Sequence, residues 1–297
     1  MTRLGAVVGE NLDRAELPAV QKLAAHLAGH LGGCAVLYYG STLRTGDLSA
    51  ILDFYVLTEG RKQPWLSRTL WPDVSYHEVE IERQIIRAKV ATMPLETFVR
   101  AARDETADTT IWTRFCQPSR LVFSADQATG DAVRTAVRDA VVSASRFAAA
   151  LGPVRGSARD YWLALFRETY GAEFRVETQG RGTTILDNAP EWYVQTLPLA
   201  WAEAGIGTES DGLLAPAPDF DRRAVVARWR RRRRLGKPLN MARLVKAAWT
   251  FEGATRYALW KIERHSGVHI PLTPWRERHP LLAAPGVLFR LWRTARP

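Results

Sequence analysis

Tyr38-Tyr39-Gly40-Ser41, followed across residues 42–50 by Ile51-Leu52-Asp53-Phe54-Tyr55-Val56, is the stretch on which the reading of this chain turns. The apolar run Cys34–Tyr39 reads as a strand and Gly40-Ser41 as a tight turn. Residues 42–50 form a polar loop with Arg44, Gly46 and Asp47, and a second strand with one carboxylate follows. Gly40 has no Cβ, so the backbone there can approach a phosphate closely. Ser41 offers an N–H and a hydroxyl to phosphate oxygens. Asp53, set on a strand, suits Mg²⁺, which takes oxygen ligands and bound phosphate. The same residues also fit an ordinary hairpin with a solvated carboxylate, and spacing alone leaves both readings open.

The first of these readings is a nucleotidyltransferase pocket. The common pattern of that superfamily has two carboxylates flanking one residue of the second strand, and here Ile51 stands in the partner position. A second metal ligand must then come from elsewhere. Residues 74–81 (VSYHEVEI) alternate as a third strand, with Tyr76, Glu78 and Glu80 on one face. Glu78 or Glu80 is the candidate second acid, and a solvent-facing pair is the equal alternative. Residues 83–92 read as another strand, on which Lys89 is a candidate phosphate ligand or a solvated lysine. His77 reads as a surface or core histidine.

Helices are expected over 11–31, 94–102, from 109 through Phe115, and over 131–151, 159–170 and 188–204. An extended piece is expected at 117–123 and a strand at 173–177. The Gly/Pro-rich residues 205–219 read as a linker or lid. The chain then divides into a nucleotidyltransferase-like domain (1–125), a helical domain (126–205), a linker (206–220) and a tail (221–297). The fold class expected is α+β: a nucleotidyltransferase-like mixed sheet with helices, a mostly helical second domain, and a basic amphipathic C-terminal tail.

At 297 residues and 46% hydrophobic the chain can bury a large core. Its net charge of +10 is unevenly spread: residues 221–297 hold nineteen Lys/Arg against four Asp/Glu, and residues 1–220 hold twenty-two against twenty-seven. The tail also carries Trp229, Trp249, Trp260, Trp275 and Trp292, five of eleven tryptophans. Arg230–Arg234 is too charged a run to be expected inside a core. Residues 239–264 read as an amphipathic helix with a possible bend at Gly253, and a last apolar piece spans 281–292. Indoles bordering apolar and basic faces suit an anionic membrane surface. Packing back onto the body is the competing reading. Nucleic acid is not expected, because no recognition motif accompanies the arginines. Cys34 and Cys116 lie in apolar surroundings, and neither a signal-peptide pattern nor an apolar run of spanning length is seen. A cytoplasmic protein, peripheral on the inner face of the cell membrane, is therefore expected.

Taken together, these stretches resemble the mitochondrial translocator assembly and maintenance family of phosphatidate cytidylyltransferases. Tyr39-Gly40-Ser41 is similar to the family's Tyr-Gly-Ser turn. Leu52-Asp53-Phe54 is similar to its strand motif, which also has a single Asp. Lys89-Val90 falls where the family has Lys-Tyr-Gly-Val, with Val90 and Ala91 replacing Tyr and Gly. Trp112 with residues 117–122 loosely resembles its Trp…Gly-Arg…Lys-Pro-Val segment, and residues 170–176 (YGAEFRV) resemble its Tyr…Asp-Phe-Arg segment. The resemblance covers about Leu37 to Trp201 and is specific at the first two motifs. It implies transfer of CMP from CTP to phosphatidic acid with release of pyrophosphate, dependent on Mg²⁺, at a membrane face. Gly40 and Ser41 would hold the triphosphate and Asp53 the Mg²⁺, with Lys89, Arg120 and Arg175 as phosphate partners. Two rival readings are a nucleotidyltransferase with another acceptor (small alcohol, antibiotic, other lipid headgroup or RNA) and a non-catalytic basic adaptor for membrane or nucleic acid.

Overall fold

A computed structural model describes residues 2–60, 70–172, 181–266, 271–273 and 275. The chain is α+β, built on a five-stranded mixed sheet. The expected strand 173–177, Arg175 and the apolar piece 281–292 lie outside the described residues.

The expected N-terminal helix is two helices, α1 (Arg3–Leu12) and α2 (Pro18–Leu31). The reason is Pro18. It has no N–H to continue a helix, but its fixed φ suits a first-turn position, and there it opens α2. Strand β1 (Gly33–Tyr39) follows, then the short helix α3 (Ser41–Thr45) and strand β2 (Ile51–Thr58). A β3–β4 hairpin (Asp73–Ile81, Gln84–Pro94) turns at Glu82 and Arg83, both at positive φ. Helices α4 (Leu95–Ala102) and α5 (Thr110–Phe115) lead to β5 (Arg120–Ser124). The strand order is β3-β4-β2-β1-β5, with β2 and β4 parallel and the other pairs antiparallel.

The alternation of β2 decides where the carboxylate points. Leu52, Phe54 and Val56 pack with Val20, Leu23 and Leu27 of α2. Tyr55 and Leu57 face the opposite side, into the larger core. Asp53 shares that second face but lies nearer the start of the strand, where the helical body leaves an opening. The body is organised on α6 (Gln127–Leu151), whose N-cap Asp126 accepts from Thr129 N–H at 2.7 Å. Around it lie α7 (Ala158–Ala172), α8 (Arg181–Asp187) and α9 (Pro190–Ala204). Buried indoles are satisfied across these helices: Trp162 Nε1 donates to the Tyr193 carbonyl at 3.0 Å and Trp192 Nε1 to that of Cys116 at 2.8 Å. Both cysteines are free and buried.

Two expectations are corrected here. Residues 205–219, expected as a linker or lid, form a hairpin of β6 (Gly207–Ser210) and β7 (Leu213–Pro216). Ile206 and Leu214 are buried in the main core, and Tyr161 donates to the Leu214 carbonyl at 3.0 Å. The Asp211-Gly212 turn, both residues at positive φ, is what lets so short a stretch double back. The arginine run, expected to stay out of any core, is part of the helix α10 (Arg222–Thr250), which packs along α6. Val225 and Trp229 enter the main core. Arg232 is nine-tenths buried, pairing with Asp104 at 2.7 Å and donating to the Asp104 and Thr106 carbonyls. One guanidinium can be buried because its fork meets three oxygens at once. Arg230, Arg231, Arg233 and Arg234 stay exposed.

The expected bend at Gly253 is a break between α10 and a final described helix, α11 (Ala254–Ser266). Gly253 has φ +75, and a Cβ there would lie 2.5 Å from the Tyr76 carbonyl oxygen. Beside it, Tyr76 N–H donates to the Glu252 carbonyl at 2.9 Å, which stitches the junction onto the edge strand β3. No described helix is long and apolar enough to cross a membrane.

Candidate active site

The opening over the first half of β2 is a cleft of ≈ 1390 Å³. Its floor is the sheet face carrying Tyr39, Asp53, Lys89 and Val74. One wall is the turn at Gly40, Ser41 and Arg44, the far wall is α9 with Trp192 and Tyr193, and the roof is α10 and α11. Among the described residues eight Lys or Arg line it against three carboxylates, and four of the eight pair with carboxylates behind the lining: Arg120 with Glu16, Arg243 with Asp108, Lys246 with Asp73 and Arg264 with Asp47. Basic side chains around a strand carboxylate are a setting that can receive an anion.

Gly40, Ser41, Asp53 and Lys89, the candidates read from the sequence, all line this cleft. Asp53 lies beside Tyr39 in the β1–β2 register and beside Lys89 in the β2–β4 register. Gly40 has φ +95 and ψ −161, a backbone conformation open in practice only to glycine. A Cβ at Gly40 would lie 2.8 Å from Asp53 Oδ2, so the turn and the carboxylate touch. Arg44 Nη1 donates back to the Gly40 carbonyl at 3.2 Å, which braces the turn.

Arg120 lines the cleft, but its guanidinium is engaged: Nε lies 3.1 Å from Glu16 and Nη1 donates to Asn11 Oδ1 at 3.1 Å. Burial lowers the pKa of Arg120, and burial likewise raises that of Glu16. Glu78 and Glu80 share one face of β3, as the alternation implied, and the register puts that face on the side of Asp53, but β4 lies between β3 and β2. By strand spacing Glu78 is roughly 12 Å from Asp53 at Cα. It accepts instead from Tyr76 Oη at 2.9 Å and Arg87 Nε at 3.2 Å. Burial raises the Tyr76 pKa, and the Glu78 acceptor adds to this, so the phenol stays a proton donor. The structure therefore does not bring Glu78 or Glu80 to Asp53. Among the described residues no group of three or more His, Cys, Asp or Glu is placed to hold a metal ion. One carboxylate, Asp53, lining an open cleft with basic neighbours is a donor set that fits Mg²⁺ only if phosphate oxygens complete its shell.

Several cleft residues escaped the sequence reading. Arg114 donates to Tyr55 Oη at 2.7 Å and lies over the Tyr39 ring at 5.1 Å. Arg243 pairs with Asp108 and lies 4.8 Å from the Trp71 ring centroid. Lys246, buried, bridges Asp73 and the Leu70 carbonyl. Arg264 lies 3.4 Å from the Ser49 carbonyl and 3.9 Å from Asp47, in the loop after the Gly-Ser turn. The three-residue spacing of Arg243 and Lys246 marks a shared helix face, but no local signal says which part of the chain that face covers. No family model and no curated protein matches the chain.

Proposed function

We propose that the chain is a Mg²⁺-dependent nucleotidyltransferase that moves CMP from CTP to phosphatidic acid and releases pyrophosphate. The observation that carries the reading is the contact of the Gly40 turn with Asp53 at the floor of a cationic cleft. An oxygen of the lipid phosphate attacks the α-phosphorus of CTP, and the bond to the β-phosphate oxygen breaks. Such a transfer needs in-line positioning and charge neutralisation more than covalent help. Gly40 and Ser41 hold the triphosphate, and Lys89 lies beside Asp53 to neutralise developing charge. Asp53 is the residue that would hold Mg²⁺, which when bound neutralises the phosphates and orients the leaving group. Cytosine and the lipid acceptor come from the resemblance to phosphatidate cytidylyltransferases.

A lipid acceptor also fits the outside of the roof. Leu235, Met241 and Val245 are exposed on one side of α10, and the exposed Arg230, Arg231 and Arg234 lie on the turns just before them. Such a face suits peripheral contact with an anionic bilayer. Labelled CTP incubated with phosphatidic acid vesicles and Mg²⁺ tests the reading: labelled CDP-lipid is expected. Label on a different acceptor would leave the transferase and overturn the lipid. No turnover, together with vesicle binding that survives Asp53→Ala, would overturn the enzyme.

A further inference from the structure

The cleft's cationic floor and its C-terminal roof meet at one pair of side chains. Lys89 Nζ lies 5.9 Å from the centroid of the Tyr257 ring, within reach of a cation–π attraction. Tyr257 is itself held on two sides: its ring contacts Tyr76 at 5.6 Å and Phe251 at 5.7 Å. The backbone around it is equally constrained. Gly253, four residues earlier, abuts the Tyr76 carbonyl, and the Tyr76 N–H is bonded to Glu252. Tyr76 is also the register partner of Lys89. The ring that flanks Lys89 is thus fixed by the neighbouring strand on which Lys89 depends for its own position. One turn further on, Trp260 repeats the arrangement with Arg87 at 5.8 Å and Arg264 at 5.2 Å.

We infer that Tyr257 is a positioning residue of the phosphate site: its ring holds the Lys89 ammonium over the cleft beside Asp53. The C-terminal helices then form part of the polyphosphate site, besides any role at a membrane. This inference rests on the phosphate-binding reading of the cleft. A lysine side chain has many rotamers, so an ammonium left unrestrained loses much of its effect on a bound anion. Through one aromatic ring the expected effect is a few-fold to tenfold in affinity.

The test is titration calorimetry of the full chain with Mg²⁺-tripolyphosphate, a probe that needs neither base nor acceptor. Tyr257→Leu keeps apolar volume in the aromatic cluster but removes the π face, and Tyr257→Phe keeps the face. Tyr257→Leu is expected to bind about fivefold to tenfold more weakly, with Tyr257→Phe within twofold of the parent. In a Lys89→Ala background, Tyr257→Leu is expected to add no further loss, because the ring then has no ammonium to hold. Unchanged binding by Tyr257→Leu, or an equal further loss on top of Lys89→Ala, would overturn the inference, since a merely structural role is additive. If the parent chain binds no tripolyphosphate, the phosphate-site reading of the cleft falls first and this inference with it.

Discussion

Gly40 and Asp53 are in contact: the space a Cβ would fill at residue 40 is 2.8 Å from a carboxylate oxygen of residue 53. Alanine there meets two penalties, a φ of +95 that L side chains avoid and a collision with the carboxylate. Gly40→Ala is expected to lower stability by about 1–3 kcal/mol. It is also expected to cut CDP-lipid formation at least about a hundredfold. Because the new methyl displaces Asp53, the Mg²⁺ concentration for half-maximal rate should rise in whatever activity is left. Melting curves and Mg²⁺ titrations of the rate check both parts, and a normal Mg²⁺ dependence would separate the turn from the carboxylate.

Asp53→Asn keeps the shape and removes the charge. Asp53 is at the open end of β2, outside both buried clusters, so the fold is expected to survive with a melting point near the parent's. Turnover is expected to fall by about two to three orders of magnitude, the range for loss of a group that stabilises transition-state charge. A melting scan beside a labelled-CTP assay reads both, and near-normal turnover would remove Asp53 from the site.

How much of this was legible beforehand follows from range. The strand–turn–strand around Gly40 is a local pattern, and it places Asp53 on a strand; which face Asp53 takes is seen only in the fold. Alternation puts Glu78 and Glu80 together on one face of β3, but it carries no strand order, and β4 intervenes. The arginine run carries no local sign of its partners: Arg232 meets Asp104, 128 residues earlier in the chain. Pro18 and the Asp211-Gly212 turn are local signals, the one for a helix start and the other for a hairpin. The roof over the cleft has no local signature, since Lys246 reaches Leu70 and Arg264 reaches Ser49 only in the folded chain.

That long-range clamp has its own test. The Asp104 side chain is 3% exposed and Arg232 is its closest partner, with Arg228 at 3.3 Å. Removing Arg232 takes the nearer of two cations from a buried carboxylate and the donor from two backbone carbonyls, so Arg232→Ala is expected to destabilise by about 3 kcal/mol. Arg233, next in sequence, pairs with Glu168 at an exposed site, and Arg233→Ala is expected within about 0.5 kcal/mol of the parent. Urea midpoints of the two variants should differ accordingly. Equal midpoints would mean that α10 is not anchored through Asp104.

His77 gives the fold a dependence on pH. It is half-buried beside Ser75, whose Oγ is 2.7 Å from its Nε2, and its ring meets His30 edge-on at 5.6 Å. Burial lowers its pKa, His30 and His26 lower it further, and Glu252 opposes them. The unfolded chain, with an ordinary histidine, then binds a proton more readily than the folded one. Stability from this group is present above pH ~6.5 and is lost as pH falls through the lower folded value. Urea midpoints are expected to drop between pH 7.5 and 5.5, and less so in His77→Gln. The same drop in that variant would assign the effect to other groups.

The outer face of α10 carries the membrane part of the proposal. Arg230, Arg231 and Arg234 are exposed, as are Leu235, Met241 and Val245. Each arginine near an anionic surface contributes about 1 kcal/mol. Reversing all three (Arg230→Glu, Arg231→Glu, Arg234→Glu) is expected to weaken sedimentation with anionic vesicles at least about a hundredfold. Tripolyphosphate binding should be unchanged, because none of the three lines the cleft. Met241→Ser with Val245→Ser removes apolar area instead of charge, so its loss should persist at high salt while the parent's charge-dependent part is screened. The two sets of variants therefore separate an apolar contact from a purely electrostatic one. Vesicle binding untouched by either would move the contact away from α10.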